Sequence, residues 1–181
     1  MGFWFLEQTE NVGYHIHIGC RFSEGVYSMG QKLFELAVKF RKTIEAAQEA
    51  GEPNEYIRGF PRGQCGHISD IFSQYLIDSE IGPVFYVNGT YYGDDWDDRW
   101  SHTWLEVDGN IIDMTADQFK FNEVPLHNET PVYVGLMNDW YRLFDIEHGS
   151  HNVHKGLERQ WFNYRELKEC YETVKDYLGV E

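Results

Sequence analysis

Basic residues are scarce in this chain: 15 lysines and arginines stand against 30 aspartates and glutamates, a formal net charge of -15 at pH 7. A surface of that sign repels a phosphate backbone, so nucleic acid and anionic membranes are not expected partners. Long apolar runs are missing as well, and no stretch has the length and freedom from charge needed to cross a bilayer. The opening Met1-Gly2-Phe3-Trp4-Phe5-Leu6 has neither a basic leader nor an extended apolar segment, and Leu6 stands where a myristoylation signal wants Ser or Thr. The expectation is a cytoplasmic protein, or one exported without a conventional signal peptide. Cysteine is sparse too. Cys20, Cys65 and Cys170 are widely spaced and odd in number, which fits neither a zinc knuckle nor a closed disulfide framework. A reduced compartment follows, with each thiol judged on its own surroundings. No cofactor is expected.

What is present is bulk for a core. Apolar residues make up 42% of the chain and aromatics 17%, which argues against disorder. At 181 residues the expectation is one domain spanning 1–181, large enough to fold without staples.

Periodicity predicts the elements. Tyr14-His15-Ile16-His17-Ile18 alternates like a strand, and Phe3 to Leu6 reads as another. From Ser28 to Ala50, Leu33, Leu36, Ala37, Phe40, Ile44 and Ala47 recur at helical spacing, with Lys39, Arg41 and Lys42 assigned to other faces, and Gly51 and Pro53 close the helix. After the turn-rich Gly59-Phe60-Pro61-Arg62-Gly63-Gln64, a second helical stripe runs from Cys65 to Ile77. Pro83 to Val87 reads as a strand, residues 88 to 99 as a loop, and Trp100 to Val107 as a strand. Asp108-Gly109 is a hairpin turn that returns the chain as Asn110-Ile111-Ile112-Asp113-Met114. Pro131 to Leu136 gives a further strand and Glu158 to Leu178 a final helix with Trp161, Tyr164, Leu167 and Tyr171 spaced for packing. This order predicts an α+β fold, helices packed against an antiparallel sheet.

The chemistry concentrates in three places. Cys65 starts a helix, where unpaired N–H groups and the macrodipole favour a thiolate. His102 is the candidate general base and acid, and Asp113 the group that fixes its tautomer and steadies the imidazolium. Pairing the two arms about Asp108-Gly109 sets Trp104 near Asp113, with His102 one or two pairs away on the same face as Trp104.

Gly63-Gln64-Cys65, His102-Thr103-Trp104 and Ile112-Asp113-Met114-Thr115 closely resemble the Gly-Gln-Cys, His-x-Trp and Leu-Asp-x-Thr signatures of the transglutaminase-like superfamily, in the same order. The resemblance covers roughly residues 60 to 119. It implies a circularly permuted relative of the papain fold, with a central helix carrying the cysteine packed against an antiparallel sheet carrying the histidine and aspartate. The activity it implies is thiol-dependent chemistry on amides: glutamine deamidation, peptide cleavage or transamidation through a thioester. Bacterial members include toxin-like effectors. Gly66 departs from the Trp that follows the cysteine in animal transglutaminases. Arg62-Gly63-Gln64-Cys65 also partly resembles the Arg-Gly-Gly-x-Cys segment of arylamine N-acetyltransferases, which makes acyl transfer from a carrier thioester the alternative, beside an inactive binding module of the same fold.

Other positions complete the expectations. The Cys65 backbone N–H is the natural first donor to an oxyanion, and Gln64 and Trp104 are candidates for the second. Asp94, Asp95 and Trp96, just before the His102 strand, are candidate rim residues that would favour a cationic protein or peptide substrate; a solvated acidic loop is the plainer reading. His15, His17 and Cys20, and the run His148, His151 and His154, have spacings compatible with metal, but polar surface strand and loop are the ordinary accounts. No metal is expected.

Overall fold

Two short strands, β1 (Trp4–Thr9) and β2 (Gly13–Ile16), pair antiparallel at the start of the chain. Ser28 then opens the first long helix: its hydroxyl accepts the Gln31 backbone N–H at 3.2 Å and satisfies one of the donors a helix start leaves free. Helix α1 (Met29–Glu49) buries Leu33, Phe34, Ala37, Phe40, Ile44 and Ala47 on one stripe and ends before Gly51, which takes a φ of 80°. A short helix α2 (Glu55–Gly59), capped by Asn54, leads to α3 (Cys65–Asp78). Strands β3 (Phe85–Tyr92), β4 (Arg99–Val107), β5 (Asn110–Asp113), β6 (Tyr133–Gly135) and β7 (His151–Val153) follow, and α4 (Tyr164–Leu178) closes the order. The computed structural model describes residues 4–9, 13–16, 28–93, 98–159 and 163–179.

The strands form one seven-stranded sheet in the order β2-β1-β6-β5-β4-β3-β7, every neighbouring pair antiparallel. Because side chains alternate across a strand, each face has its own core. One face presents Leu105, Val107, Ile112 and Val134 to the helices; α3 packs on β4 and β3, α1 on β5 and β6, and α4 on α1 and α3. The other presents Val87, Trp104, Ile111 and Tyr133, covered by Phe119 and Leu126 from the segment between β5 and β6 and by Tyr141 and Phe144 from the segment after β6. The α+β class and the antiparallel sheet are as the sequence pattern predicts. No described helix is long and apolar enough to cross a membrane.

Some boundaries differ from the sequence expectation. Residues 88 to 92 continue β3 instead of opening a loop, with Gly89 paired to His102. Asn88-Gly89 is a turn dipeptide by composition, but here the glycine serves a close approach. A Cβ on Gly89 would stand 2.7 Å from Phe144 Cβ and 3.0 Å from Trp104 Cη2, so the strand can cross this core only without a side chain. Gly89→Ala is therefore expected to cost about 1–3 kcal/mol by overpacking, read as a lower thermal midpoint. The last helix starts at Tyr164, after Asn163 in the left-handed region at φ 58°, and not at Glu158. Trp161 lies outside the described residues. The strand expected at 131 to 136 narrows to β6, and α2 and β7 have no counterpart in the sequence reading.

Candidate active site

The segment before Cys65 folds to aim its thiol. Gly63 takes φ 69°, a conformation glycine adopts without a Cβ penalty, and the Gln64 N–H bonds the Pro61 carbonyl, so the chain turns sharply and enters α3 at Cys65. As the first helical residue, Cys65 has a backbone N–H with no acceptor inside the helix. Gly66 follows because β3 passes close by: a Cβ there would meet the Tyr86 hydroxyl at 3.0 Å.

The hairpin of β4 and β5 supplies the other two groups. Asp108 at φ 49° and Gly109 at φ 73° form the turn, and Val107, Glu106 and Leu105 pair with Asn110, Ile111 and Ile112. Continuing that register puts Asp113 opposite Trp104, with His102 diagonal to it on the same face. His102 Nε2 lies 2.6 Å from Asp113 Oδ2. The carboxylate is fully satisfied: Oδ2 also accepts the Tyr141 hydroxyl at 3.0 Å, while Oδ1 accepts the Thr115 N–H at 2.8 Å and the Thr115 hydroxyl at 3.0 Å. Thr115 two residues beyond the aspartate is thus an Asx-type clamp, which gives the Asp-x-Thr pattern a physical reason. Buried carboxylates need such partners to stay ionised.

Trp104, Phe119, Trp140 and Phe144 pack around the imidazole with ring centroids 5.2 to 6.0 Å away, and His102 has no exposed surface. Water is kept from it on these sides. Nδ1 remains for the thiol, because Nε2 is committed to Asp113.

Burial works against charge on all three groups, and the neighbours overcome it. Burial pushes the Cys65 thiol up, but hydrogen bonding to His102, the His102 charge, and hydrogen bonds with the Thr103 backbone and the Gln118 side chain bring its pKa below the ordinary value of 9.0. Burial would lower His102, yet the charge and hydrogen bond of Asp113, with Cys65 adding to them, raise it to about 10. Asp113 is lowered in spite of its burial by the His102 charge and by the His102, Thr115 and Tyr141 hydrogen bonds. Both shifts favour transfer of the thiol proton to the imidazole, giving thiolate and imidazolium. Cys170 is the contrast: buried in the helical core, its thiol is pushed up to about 12.

The thiol opens onto a cleft of about 640 Å³ whose lining includes Arg62, Arg99, Trp100, Gln118 and Phe121. Arg62 and Arg99 are the charged side chains among that lining. Asp94, Asp95 and Trp96, the rim residues expected to favour a cationic substrate, lie outside the described residues. Neither second-donor candidate faces the cleft. Gln64 bends back so that its Oε1 sits 3.0 Å from His67 Nδ1, and Trp104 is wholly buried with its indole N–H toward Glu106 at 3.5 Å.

His148, His151 and His154 do not converge. His151 lies on β7 beside Glu106, His154 is buried against Asp70 at 3.2 Å, and His148 sits in the preceding turn. His17 and Cys20 lie outside the described residues, as does the side chain of His15. Among the described residues no group of three His, Cys, Asp or Glu could hold a metal ion.

Two further residues bear on the site: Gln118, which the sequence pattern does not single out, and Arg41, which the sequence reading assigns to another face of its helix and which is instead buried. Gln118, on the 3-10 turn Ala116–Phe119, places its Nε2 3.0 Å from His102 Nδ1. Arg41 is buried, and it ties α1 to the segment that joins Asp113 to Gln118. The signal for Arg41 was available: four residues after Ala37 and three before Ile44, it falls on the apolar stripe. Gln118 had no such signal.

No protein-family model matches the chain, and searches of curated proteins and of solved structures returned no significant match.

Proposed function

We propose that this chain is a cysteine-dependent hydrolase or acyltransferase acting on amide carbonyls, with a papain- or transglutaminase-like arrangement of the Cys65 helix against the His102–Asp113 sheet. The observation that carries the reading is the ordered set of thiol, imidazole and carboxylate, fully hydrogen-bonded behind the sulfur and open to a cleft in front of it. In this mechanism the Cys65 thiolate attacks the carbonyl carbon and its electron pair forms the S–C bond. The C–N bond breaks as the tetrahedral adduct collapses, and the amine or ammonia leaves with the proton from His102 Nδ1. Water or a second amine then attacks the thioester and gives its proton to His102; the S–C bond breaks, the acyl group leaves as acid or new amide, and the thiolate–imidazolium pair is restored. Deamidation, peptide cleavage and transamidation differ only in leaving group and acceptor.

The test has two parts. Cys65 should react with iodoacetamide at mildly acidic pH, well before Cys170, because one thiol is lowered and the other raised to about 12. Turnover should rise with pH through the Cys65 ionisation and fall as pH passes about 10, where His102 loses the proton it must donate. Mass spectrometry of glutamine-containing peptides, with and without a primary amine, separates acid formation, cleavage and amine incorporation. Equal reactivity of Cys65 and Cys170 at pH 6 would sink the reading.

A second reading, acyl transfer from a carrier thioester, draws support from Arg62 and Arg99, because guanidinium groups at the cleft suit a phosphate-bearing carrier. It predicts acetyl-Cys65 after incubation with acetyl-coenzyme A alone; no adduct would remove it.

A further inference from the structure

The side-chain amide of Gln118 is oriented from both ends. Its Oε1 accepts the Gly63 backbone N–H at 3.2 Å, which turns Nε2 inward, 3.0 Å from His102 Nδ1 and in hydrogen-bonding contact with the Cys65 thiol. Gln118 also lines the cleft together with Cys65. Gly63 stands two residues before the nucleophile, so the peptide that turns the chain into α3 also fixes this amide.

We propose that Gln118 is a catalytic residue whose Nε2–H, with the Cys65 backbone N–H, holds the oxyanion formed when the thiolate attacks a carbonyl. The assignment rests on Cys65 being the acylated nucleophile. An amide nitrogen carries two hydrogens and accepts none. While His102 Nδ1 is unprotonated, one of these hydrogens bonds to it. Once the thiol proton has moved to Nδ1, two donors face each other, and the amide hydrogen is released toward the sulfur and the space in front of it. As the S–C bond forms, the carbonyl π pair moves onto oxygen, beside the helix start and within reach of that hydrogen. The amide is held before the charge appears, the condition under which such donors act most strongly. The donor is therefore freed by the same proton transfer that makes the nucleophile.

Two reagents separate this role from a merely structural one. Iodoacetamide alkylates the thiolate at a saturated carbon and generates no oxyanion. p-Nitrophenyl acetate acylates it through one, and its phenolate leaves without needing a proton from His102. Each is measured at the top of its own pH profile in the wild type, Gln118→Ala and the near-isosteric Gln118→Glu, with a thermal melt of each variant. Both variants are expected to lower the acylation rate by about 10²-fold or more while changing maximal alkylation little. Equal losses with the two reagents would reduce Gln118 to a prop for the ion pair, and an unchanged acylation rate would remove it from the chemistry; either result overturns the assignment. A wild-type Cys65 that is alkylated but takes no acetyl group overturns the nucleophile reading itself, and the oxyanion role with it.

Discussion

Asp113→Asn is expected to lower kcat by about 10⁴-fold, the scale of loss when the carboxylate of a Ser-His-Asp triad becomes an amide, with the fold intact. All contacts to this side chain come from donors: Thr115 N–H and Oγ1 on Oδ1, His102 Nε2 and the Tyr141 hydroxyl on Oδ2. An amide offers one accepting oxygen. If that oxygen keeps the two Thr115 bonds, the new NH₂ faces His102 Nε2, which must then accept. The ring proton moves to Nδ1, and an imidazole protonated there cannot take the thiol proton. If the amide flips, its NH₂ meets the Thr115 N–H instead. The pH dependence should move with it. The Asp113 charge is the largest of the influences raising His102 to about 10, so without it the alkaline limb of turnover falls to lower pH. The thiol, robbed of a neighbouring imidazolium at neutral pH, titrates nearer its ordinary range, and the half-point for iodoacetamide alkylation of Cys65 shifts upward. Steady-state kinetics and the alkylation profile check both statements. An asparagine variant with wild-type kcat and profile would show that the carboxylate only fills space.

How much of this was legible depends on whether the information was local. Cys65, His102 and Asp113 could be placed from sequence because each sits at a point the chain itself marks. The first follows a Gly-Gln turn into an apolar helical stripe, and the other two flank an Asp-Gly turn whose two positive φ angles set the register. Counting back from Asp108-Gly109 brings Trp104 near Asp113 to within one residue, and the β4–β5 ladder is what sets the two opposite each other. Gln118 was out of reach, because Ala116-Asp117-Gln118-Phe119 is one 3-10 turn with no periodicity, and its amide is aimed by Gly63, 55 positions earlier. The aromatic rings around His102 come from β4, from the segment between β5 and β6, and from the segment after β6, so their convergence is tertiary. Gly89 shows a related limit: a turn dipeptide and a strand crossing a crowded core use glycine for different purposes, and only the neighbours tell them apart.

Arg41→Met is expected to cost about 3–5 kcal/mol of stability, since it strips one partner from a buried ion pair, and to lower the thermal midpoint by about 10 °C. Arg41 is 5% exposed, and all three guanidinium nitrogens donate. It bonds the Met114 and Pro131 carbonyls at 2.7 Å each, both Asp117 oxygens at 2.9 and 2.8 Å, and Glu45 at 2.8 Å, while lying 4.9 Å over the Phe60 ring. These contacts join α1 to both ends of the segment that leaves Asp113, carries Gln118 and returns as β6. Phe60 also connects them to the turn that delivers Cys65. Lysine cannot substitute, because a single ammonium has no planar fork to span a carboxylate and two carbonyls at once. Arg41→Met/Asp117→Leu should recover part of the lost stability, since no buried carboxylate is left without its partner. It should not recover turnover, because the Met114 and Pro131 carbonyls remain untied and the Asp113–Gln118 segment is no longer held to α1. Thermal melts and acylation by p-nitrophenyl acetate, taken on the single and double variants, separate the two effects. If activity returns in step with stability, Arg41 is a core residue only; if stability returns alone, the guanidinium sets the geometry on which thiolate, imidazolium and Gln118 depend.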